Sequence, residues 1–560
     1  MDKGMPEDRK NTIPIIIGAT GHRAVREQDV PAIRDAVRAE LRKLQALCPH
    51  SSVVLLTSLA EGGDLLCADV AEELGIPLVA VLPTVKDVYE QDFSPEGKQR
   101  LAHHCARAEL LFIAPDAEPL PDGFSEAGDK SLDEYNVPEH ANRSFRFRQA
   151  GIYVASHCLV LLALWDGGPG TDAACGTAEA VDFALNGNYK PISGEVPRQE
   201  GSRAVIHILT PRETDEETSA GAVRVLGDWP NVQLCLKRTD DFNRRSAELI
   251  SEKRPMEKSR LPEAARSDPA LEKMDRLSLI AGTLSTESAK KYRLVLALLA
   301  VASALLTFAF LMYDEAEAIW MILVCGVMLL GAWACQLYAV RSDCHRRYLE
   351  YRALAECLRV QTYLRYAGSR IRTVELLTWT QQMETAWIVG ALSVLEIAGP
   401  ACSPHDICDC WVEDQLRYHR QAERRTKKAL SSSERVVRFS LILSVTLYCA
   451  AVVFELLFGN LILPPVAVLR NVEVWRTVLK ILLGTISAVT LFISNFYGRQ
   501  SLSRRESDHR KMEQFFIWIS GQLAAHGQTE ELLTMLAREE LIENGNWCSY
   551  QRDNRPDISF

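Results

Sequence analysis

Four long apolar runs in the C-terminal half constrain the fold of this chain more than any other feature of its sequence. Each run holds close to the ~20 apolar residues that a helix needs to cross about 30 Å of hydrocarbon. The runs cover residues 294–312, 318–340, 439–458 and 478–496. They form two hairpins, so the sequence predicts an all-α membrane region with four transmembrane helices. The alternative is four core helices of a large soluble protein.

Basic residues flank both hairpins, whereas the short connector between the first two runs is acidic. The flanking residues are Lys290, Lys291, Arg293, Arg341, Arg346, Arg347, Arg435, Arg438, Arg499, Arg504 and Arg505. By the positive-inside rule, the N-terminus, the segment 341–438 and the C-terminus are predicted to be cytoplasmic. Glu455 and Lys480 lie near the ends of apolar runs. Each could have a functional role within the membrane, or its side chain could extend to the membrane interface.

In the N-terminal half, short apolar runs alternate with helical patterns. The predicted strands are 13–17, 53–56, 77–82, 110–113, 158–165 and 204–209. Strands that alternate with helices are typical of βαβ units, so the sequence predicts an α/β, Rossmann-like fold with a doubly wound parallel sheet. Ligands of such sheets bind beyond the carboxyl ends of the strands.

Three polar or glycine-rich turns follow predicted strands and supply the candidate ligand-binding residues. Glycines let backbone N–H groups approach an anion, and the following helix N-terminus adds partial positive charge. Arginine can pair with phosphate, hydroxyls can donate to it, and carboxylates can accept from ribose. Each turn alone could be an ordinary loop, but three at one sheet edge predict a nucleotide site. The predicted residues are Gly21, His22, Arg23, Ser58, Glu61, Gly62, Gly63, Asp64, Asp166, Gly167, Gly176, Thr177 and Glu179.

Three motifs in these turns form a recognisable set. They are Thr20-Gly21-His22-Arg23, Ser58-Leu59-Ala60-Glu61-Gly62-Gly63-Asp64 and Cys175-Gly176-Thr177-Ala178-Glu179. The set also includes Val81-Leu82-Pro83 with Tyr89 and Asp92-Phe93, and Ala163-Leu164-Trp165-Asp166-Gly167. Together they resemble the SLOG superfamily, Rossmann-like domains related to the LOG phosphoribohydrolases and to the DNA-processing protein DprA. The resemblance covers roughly residues 13–212. It implies a pocket for a nucleotide or nucleotide-derived second messenger, and no further cofactor.

One motif departs from the LOG pattern, in which two glycines precede glycine-threonine and a glutamate stands three residues after the threonine. Here Gly176-Thr177 is kept, but alanines replace the glycines at 173 and 174, and the acid is Glu179, one residue early. On a helix this shift rotates the acid by about 100°. The departure favours binding, so no catalytic residue is predicted. The alternative is a membrane-tethered, LOG-like nucleotide phosphoribohydrolase that uses Arg23 and Glu179.

The charged stretches after the hairpins carry a second resemblance. Segments 348–359 and 411–419 are similar to the SLATT family, two-transmembrane effector domains found beside SLOG domains in bacterial conflict systems. The resemblance covers roughly residues 286–546 and implies membrane disruption or pore formation. The predicted domains are a SLOG-like nucleotide-binding domain (1–212), a charged helical linker (213–287), a first transmembrane hairpin with cytosolic helices (288–430) and a second hairpin with a C-terminal cytosolic helix (431–560).

Charge and cysteine content narrow the classes of partner. The net charge of −10 argues against a nucleic-acid partner, which needs a basic face. The 15 cysteines are scattered and fit buried thiols in a reducing compartment better than a disulfide framework. The cluster Cys402, His405, Cys408 and Cys410 could bind zinc, but its spacing is not that of a CxxC knuckle, so no metal is predicted.

The two resemblances together predict a multi-pass effector of antiviral defence in the bacterial inner membrane. Its SLOG domain would bind a nucleotide second messenger made by a nucleotidyltransferase or a TIR-domain protein. Binding would trigger a homo-oligomer whose helices breach the lipid bilayer. The hydrolase described above and a constitutive membrane scaffold are the alternatives that the sequence leaves open.

Overall fold

The chain forms two compact units. The first comprises Met1–Ala281, Ala353–His405 and Leu533–Gly545, and the second comprises Gly282–Arg352, Asp406–Leu532 and Asn546–Phe560. The β-sheet belongs to the first unit, and the four apolar runs belong to the second. The computed structural model describes residues 10–124, 141–168, 176–191, 203–212, 219–397, 404–459, 471–499 and 502–553.

A seven-stranded sheet organises the first unit. Its strands are β1 (Ile15–Gly21), β2 (Val53–Thr57), β3 (Leu78–Leu82), β4 (Leu110–Ile113), β5 (Val160–Trp165), β6 (Ala204–Leu209) and β7 (Val223–Gly227). Their order is β4-β3-β2-β1-β5-β6-β7, and every neighbouring pair is parallel except β6 and β7. The winding direction reverses between β1 and β5. This topology confirms the predicted doubly wound α/β sheet.

Helices connect the strands and make up most of the remaining described chain. In the first half they are α1 (Val30–Leu47), α2 (Gly63–Glu73), α3 (Lys86–Tyr89), α4 (Pro95–Arg107), α5 (Ala141–His157), α6 (Thr177–Asn186) and α7 (Trp229–Ser251). Next come α8 (Pro269–Glu315), α9 (Met321–Ser342), α10 (Cys344–Tyr366), α11 (Thr373–Leu376), α12 (Trp379–Glu384) and α13 (Ala386–Leu395). The last are α14 (Glu413–Phe454), α15 (Val472–Arg499), α16 (Leu502–His526) and α17 (Glu530–Asp553).

Helix α7 lies in the segment predicted as a charged linker, yet it belongs to the core of the first unit. Its Val232, Leu236 and Phe242 side chains are fully buried. Asn243 accepts from the N–H of Ile13 and donates to the C=O of the same residue, both at 2.8 Å. A side-chain amide thus satisfies the backbone just before β1 as a neighbouring strand would.

Strand β7 lies in the same predicted linker and was missed by sequence reasoning. Four of its five residues are exposed, and it pairs antiparallel with β6 at the edge of the sheet. Its only alternation is Val223 and Val225 on either side of Arg224, and so short an exposed run in a charged segment is a weak strand signal. The six predicted strands are buried more deeply, apart from the opposite edge strand β4.

Helix α13 returns from the C-terminal half to complete the core of the first unit. Its sequence is almost entirely apolar, but ten residues are too few to cross a membrane. Val394 joins the cluster of buried side chains on the sheet. At Gly390 the helix approaches so closely that an added Cβ would lie 2.7 Å from Leu159. Just after α13, Glu396 pairs with Arg372 at 2.7 Å.

Four helices of the described chain are long and apolar enough to cross a membrane. At most 11% of the apolar window in any of them is buried within the protein, whereas a soluble core helix buries an apolar stripe. Each of these helices includes all or most of one predicted run. The arrangement is therefore that of a multi-pass membrane protein. The four helices are Pro269–Glu315, Met321–Tyr366, Cys408–Phe458 and Val472–Ser494.

Both of the charged residues singled out near the spans have partners of opposite charge. Lys480 Nζ lies 2.9 Å from Glu315 Oε2 at the end of α8. Arg476 donates to the two carboxylate oxygens of Glu455 at 2.8 and 3.0 Å. A paired charge is less costly near hydrocarbon than an isolated one, and pairing fits both interpretations of these residues.

Small and hydroxylated residues mediate the contacts between spans. The hydroxyls of Ser444 on α14 and Thr490 on α15 are 2.9 Å apart. An added Cβ at Gly484 on α15 would lie 2.7 Å from Leu311 on α8. At Gly331 on α9, by contrast, an added Cβ would have no described heavy atom within 4 Å. Gly484 therefore serves packing within the chain, and Gly331 does not.

Beyond the apolar runs, α14 and α16 meet at a pair of buried histidines. The Nδ1 atoms of His419 and His509 are 3.1 Å apart, and both residues are less than 10% exposed. Burial, aided by the charges of Arg505 and Arg352, lowers the pKa of His509 to about 4. His509 is therefore neutral at pH 7 and fits a packed helix residue.

This depressed pKa predicts a loss of stability in mild acid. Between the ordinary pKa of 6.5 and about 4, the unfolded state binds more protons than the folded state, so stability is complete above pH 6.5 and declines as the pH falls. His509→Gln removes this contribution, and its unfolding temperature should fall less than that of wild type between pH 7 and 4. Thermal unfolding of the full chain in detergent measures this. His526→Gln, an exposed residue of the same helix, is the control; parallel pH profiles for His509→Gln and wild type would contradict the assignment.

Candidate functional site

The first two predicted turns touch each other through glycine backbones. A Cβ on Gly21 would lie 2.7 Å from the Cα of Gly63, and the reverse distance is also 2.7 Å. The N–H of Gly63 donates to the C=O of His22 at 2.9 Å. Gly62 has φ = 95°, a conformation that favours glycine. The structure therefore brings these turns together, and the glycines are required by this close approach.

Asp64 holds the second turn from inside. Its side chain is 3% exposed and accepts from the Thr57 hydroxyl at 2.9 Å and from the N–H of Ala60 at 3.4 Å. Burial raises the pKa of its carboxyl to about 6. Within the same turn Leu59 has φ = 56°, a strained conformation for a residue other than glycine. Asp64 therefore positions the turn, while Ser58 beside Leu59 is partly exposed.

Glu61 ties the second turn to the start of α4. Its carboxylate accepts from the N–H of Ser94 at 3.1 and 3.2 Å, and also from the Ser94 hydroxyl. Ser94 is the N-cap of α4 and accepts from the N–H of Gly97 at 3.0 Å. The predicted site residue Glu61 is thus occupied by contacts that fix the loop.

Asp166 joins the third turn to the first across the switch between β1 and β5. Its N–H donates to His22 Nε2 at 3.1 Å, and its carboxylate accepts from the N–H of Gly168 at 2.9 Å. Arg212 Nε lies 2.6 Å from Asp166 Oδ2. Partial burial alone would raise the pKa of this carboxyl, but the hydrogen bond from the N–H of Gly168 and the charge of Arg212 lower it. Gly167, with φ = 84°, allows the chain to turn here.

The remaining predicted residues lie at the start of α6. Gly176 is the N-cap, and an added Cβ there would have no described heavy atom within 4 Å. Thr177 is 6% exposed. Glu179 forms an ion pair with Arg148, which also contacts Glu118 at 2.8 Å. Positions 172–175, where the LOG motif is altered, lie outside the described residues.

Arg23 is the most exposed cation of the predicted set. Its side chain is 48% exposed, and its contact with Asp92 is long at 3.5 Å. The guanidinium lies over the ring of Phe147, 5.3 Å from the centroid. Arg143 also pairs with Asp92 and lies over the same ring. Sequence reasoning missed Arg143 and Phe147, although alternating arginine and phenylalanine at the start of α5 offered a signal.

Two buried hydroxyls of the first unit have no partner among the described residues, and one of them, on Tyr89, lies beside Phe147. Thr84, two residues after β3, is 1% exposed, and Tyr89 at the end of α3 is fully buried. Among the described residues neither hydroxyl has a hydrogen-bond partner. Burial, followed by the nearby charge of Asp64, raises the pKa of Tyr89 well above its ordinary range, although the Arg23 charge opposes this. Buried hydroxyls are normally paired, so these two are donors available to a ligand or water.

The cysteine cluster considered for zinc is only partly described. Cys402 lies outside the described residues. Burial, followed by the nearby carboxylate of Asp406, raises the pKa of Cys408 to about 11, and burial also raises that of Cys410 to about 11. Both are therefore protonated thiols at neutral pH. His405 stacks on the ring of Tyr366, with centroids 4.7 Å apart.

These features define a class: a Rossmann-like α/β unit with a polar site at its strand ends, in a multi-pass helical membrane protein. No protein-family model matches the chain, and no curated protein matches it. The site geometry and the motif resemblance therefore provide the basis for a functional proposal.

Removing a hydroxyl that has no partner should change stability less than removing one that has a hydrogen bond. Tyr89→Phe and Thr84→Val remove hydroxyls without breaking a bond, so the free energy of unfolding should stay within about 0.5 kcal/mol of wild type or rise. Thr57→Val, the matched control, breaks the hydrogen bond to Asp64 and should cost about 1–3 kcal/mol. Chemical denaturation of the full chain in detergent measures all three. Equal losses in the three variants would mean that Thr84 and Tyr89 already have structural partners.

Proposed function

We propose that this protein is a bacterial membrane effector of antiviral defence whose N-terminal unit binds a nucleotide-derived second messenger. The observation that carries the proposal is the cluster of Arg23, Phe147 and Tyr89, which offers an exposed guanidinium and a buried hydroxyl without a partner among the described residues. An anion that accepted from this hydroxyl would relieve the cost of burying it unpaired. The SLOG-like motifs of the same turns support this ligand class.

A nucleotide has the chemistry that these side chains match. The guanidinium of Arg23 can exchange its weak contact with Asp92 for a charge-assisted pair with phosphate. Arg143 lies within reach of the same aspartate and could serve a second phosphate oxygen. Both guanidinium groups lie over the ring of Phe147, which would hold them side by side for one anion.

The contacts of Glu179 favour binding over hydrolysis. In the hydrolase alternative, Glu179 would act together with Arg23. In the described structure its carboxylate pairs with Arg148, which is itself held by Glu118. A carboxylate in such an ion-pair network is suited to holding α6 in place. We therefore assign no catalytic residue.

The membrane helices are the proposed effector, acting as a homo-oligomer. Their apolar windows are at most 11% buried within one chain, which leaves faces for lipid and for other subunits. Gly331 has free space around it and could allow a second chain to approach closely. Ligand binding would favour this oligomer only as far as the ligand binds the active state more tightly.

The proposed location is the bacterial inner membrane, with both termini in the cytoplasm. The SLOG and SLATT resemblances and the basic flanks of the hairpins support this orientation. A nucleotidyltransferase or TIR-domain protein would supply the signal through its product. With a net charge of −10, nucleic acid is not a proposed partner.

Binding and leakage together test the proposal. Cyclic dinucleotides, cyclic ADP-ribose variants and NAD are titrated by calorimetry into the full chain in detergent. Arg23→Ala should weaken the best ligand by about 1.5–3 kcal/mol, or roughly 10- to 150-fold. Arg417→Ala is the matched control, because Arg417 is also exposed and has a weak ion pair.

The same proteins are then reconstituted in vesicles that contain a dye. Wild type should release dye only with its ligand, and Gly331→Leu should bind ligand normally but release less dye. Undiminished affinity in Arg23→Ala would contradict the ligand placement. Release of free base from a nucleotide without dye leakage would support the hydrolase instead.

Orientation has its own test. Single cysteines are introduced into a variant without native cysteines and labelled from outside intact cells with an impermeant reagent. Positions in the connector 314–317 should react, and positions in 342–437 should react only after the cells are lysed. Strong labelling of the central segment in intact cells would overturn the proposed topology.

A further inference from the structure

Glu72, His103 and His104 form a cluster that the proposed function does not use. Glu72 lies near the end of α2, about 13 Å along the helix from Gly63, and the histidines lie on α4. One ligand atom from each of the three lies within 4.8 Å of the other two. His103 Nε2 is 2.9 Å from Glu72 Oε2, and His104 Nδ1 is 4.0 Å from the same oxygen. Two imidazole nitrogens therefore face one carboxylate oxygen.

Asp69 sets the orientation of His104. His104 Nε2 lies 2.8 Å from Asp69 Oδ1, and the His104 side chain is 3% exposed. Asp69 is in turn held by Arg100 at 2.7 Å and Arg34 at 3.7 Å. With its Nε2–H on the carboxylate, His104 directs the Nδ1 lone pair toward Glu72. Metal-binding histidines typically have this kind of second hydrogen bond.

Ion pairing alone does not account for this arrangement. Arg107 Nε lies 3.0 Å from Glu72 Oε1 and so satisfies one of the two carboxylate oxygens. His103 Nε2 lies 3.1 Å from that oxygen and 2.9 Å from Oε2, whereas His104 Nδ1 faces Oε2. The 4.0 Å separation of His104 Nδ1 from Oε2 is too long for a hydrogen bond. This leaves His104 Nδ1 aimed at the carboxylate without bonding to it.

We propose that Glu72, His103 and His104 bind a divalent transition metal of the zinc class. Two imidazoles and one carboxylate, with water in the fourth position, are a ligand set that zinc accepts. Tetrahedral coordination at about 2.0–2.1 Å places ligand atoms roughly 3.3 Å apart. The observed separations of 2.9 and 4.0 Å fall on either side of this value, so small side-chain rotations complete the site.

The metal would clamp α2 to α4. These two helices are already joined near their N-terminal ends, where Glu61 accepts from Ser94. The proposed site joins them again at the far end of α2. It would bind metal whether or not the strand-end site takes a nucleotide.

Metal binding by the full chain in detergent tests the proposal. Zn²⁺ is titrated in competition with a chromophoric chelator, and Co²⁺ absorption separates nitrogen and oxygen ligation from thiolate ligation by the cysteines. Wild type should bind one more Zn²⁺ per chain than His103→Ala or Glu72→Gln, with affinity at this site more than about 100-fold lower in each variant. Asp69→Asn, a change in the residue that positions His104, should lower affinity about 10- to 100-fold.

Two controls distinguish loss of the metal site from misfolding of the variant and from metal binding to other surface histidines. His103 is 47% exposed in its side chain, so His103→Ala should unfold at the wild-type temperature without metal and lose only the rise that Zn²⁺ causes. His50→Ala, a change in an exposed histidine elsewhere, should behave as wild type. Unchanged Zn²⁺ stoichiometry in both His103→Ala and Glu72→Gln, or Co²⁺ spectra with thiolate bands alone, would overturn the proposal.

Discussion

The strand-end site depends on a contact in which two backbones meet with no side chain between them. Gly21 at the end of β1 and Gly63 at the start of α2 pack so closely that a methyl group on either would overlap the other. This contact lets the C=O of His22 accept from Gly63, and His22 in turn accepts from Asp166. One steric constraint therefore aligns three turns from separate parts of the chain.

Much of the fold was predictable because its signals are local. Alternating strand and helix patterns gave the doubly wound sheet, and run length gave the spans. β7 was missed because its apolar alternation is limited to Val223 and Val225 in a charged segment. The segment of α7 was predicted to be helical, but its charged face masked buried residues such as Phe242, so its place in the core was missed. The sequence predicted which turns form the site, but not which role each side chain has in it. Asp64 and Glu61 prove to hold loops in place. Tyr89 belongs to the SLOG-like set but had no predicted role, and Thr84 was not singled out; both are buried hydroxyls without partners among the described residues.

The carboxylates of the site are held by close contacts, whereas its arginine is held only weakly. Asp64, Asp166 and Glu179 all have hydrogen bonds or ion pairs that fix neighbouring loops. Arg23, by contrast, has a long contact to Asp92 and lies over the ring of Phe147. Because these carboxylates already have partners, they are poorly suited to act as a catalytic base. The weakly held guanidinium of Arg23 is instead suited to bind an anion.

Helix α13 has a consequence for how the protein is made. The core of the first unit needs this helix, because Val394 packs into its main cluster and Gly390 lies against Leu159. Residues 386–395 are synthesised after the first pair of apolar spans. The nascent N-terminal unit therefore remains incomplete while those two helices leave the ribosome, so its maturation is coupled to membrane insertion. A fragment ending before the first span would expose apolar sheet surface and would be a natural substrate for chaperones and proteases.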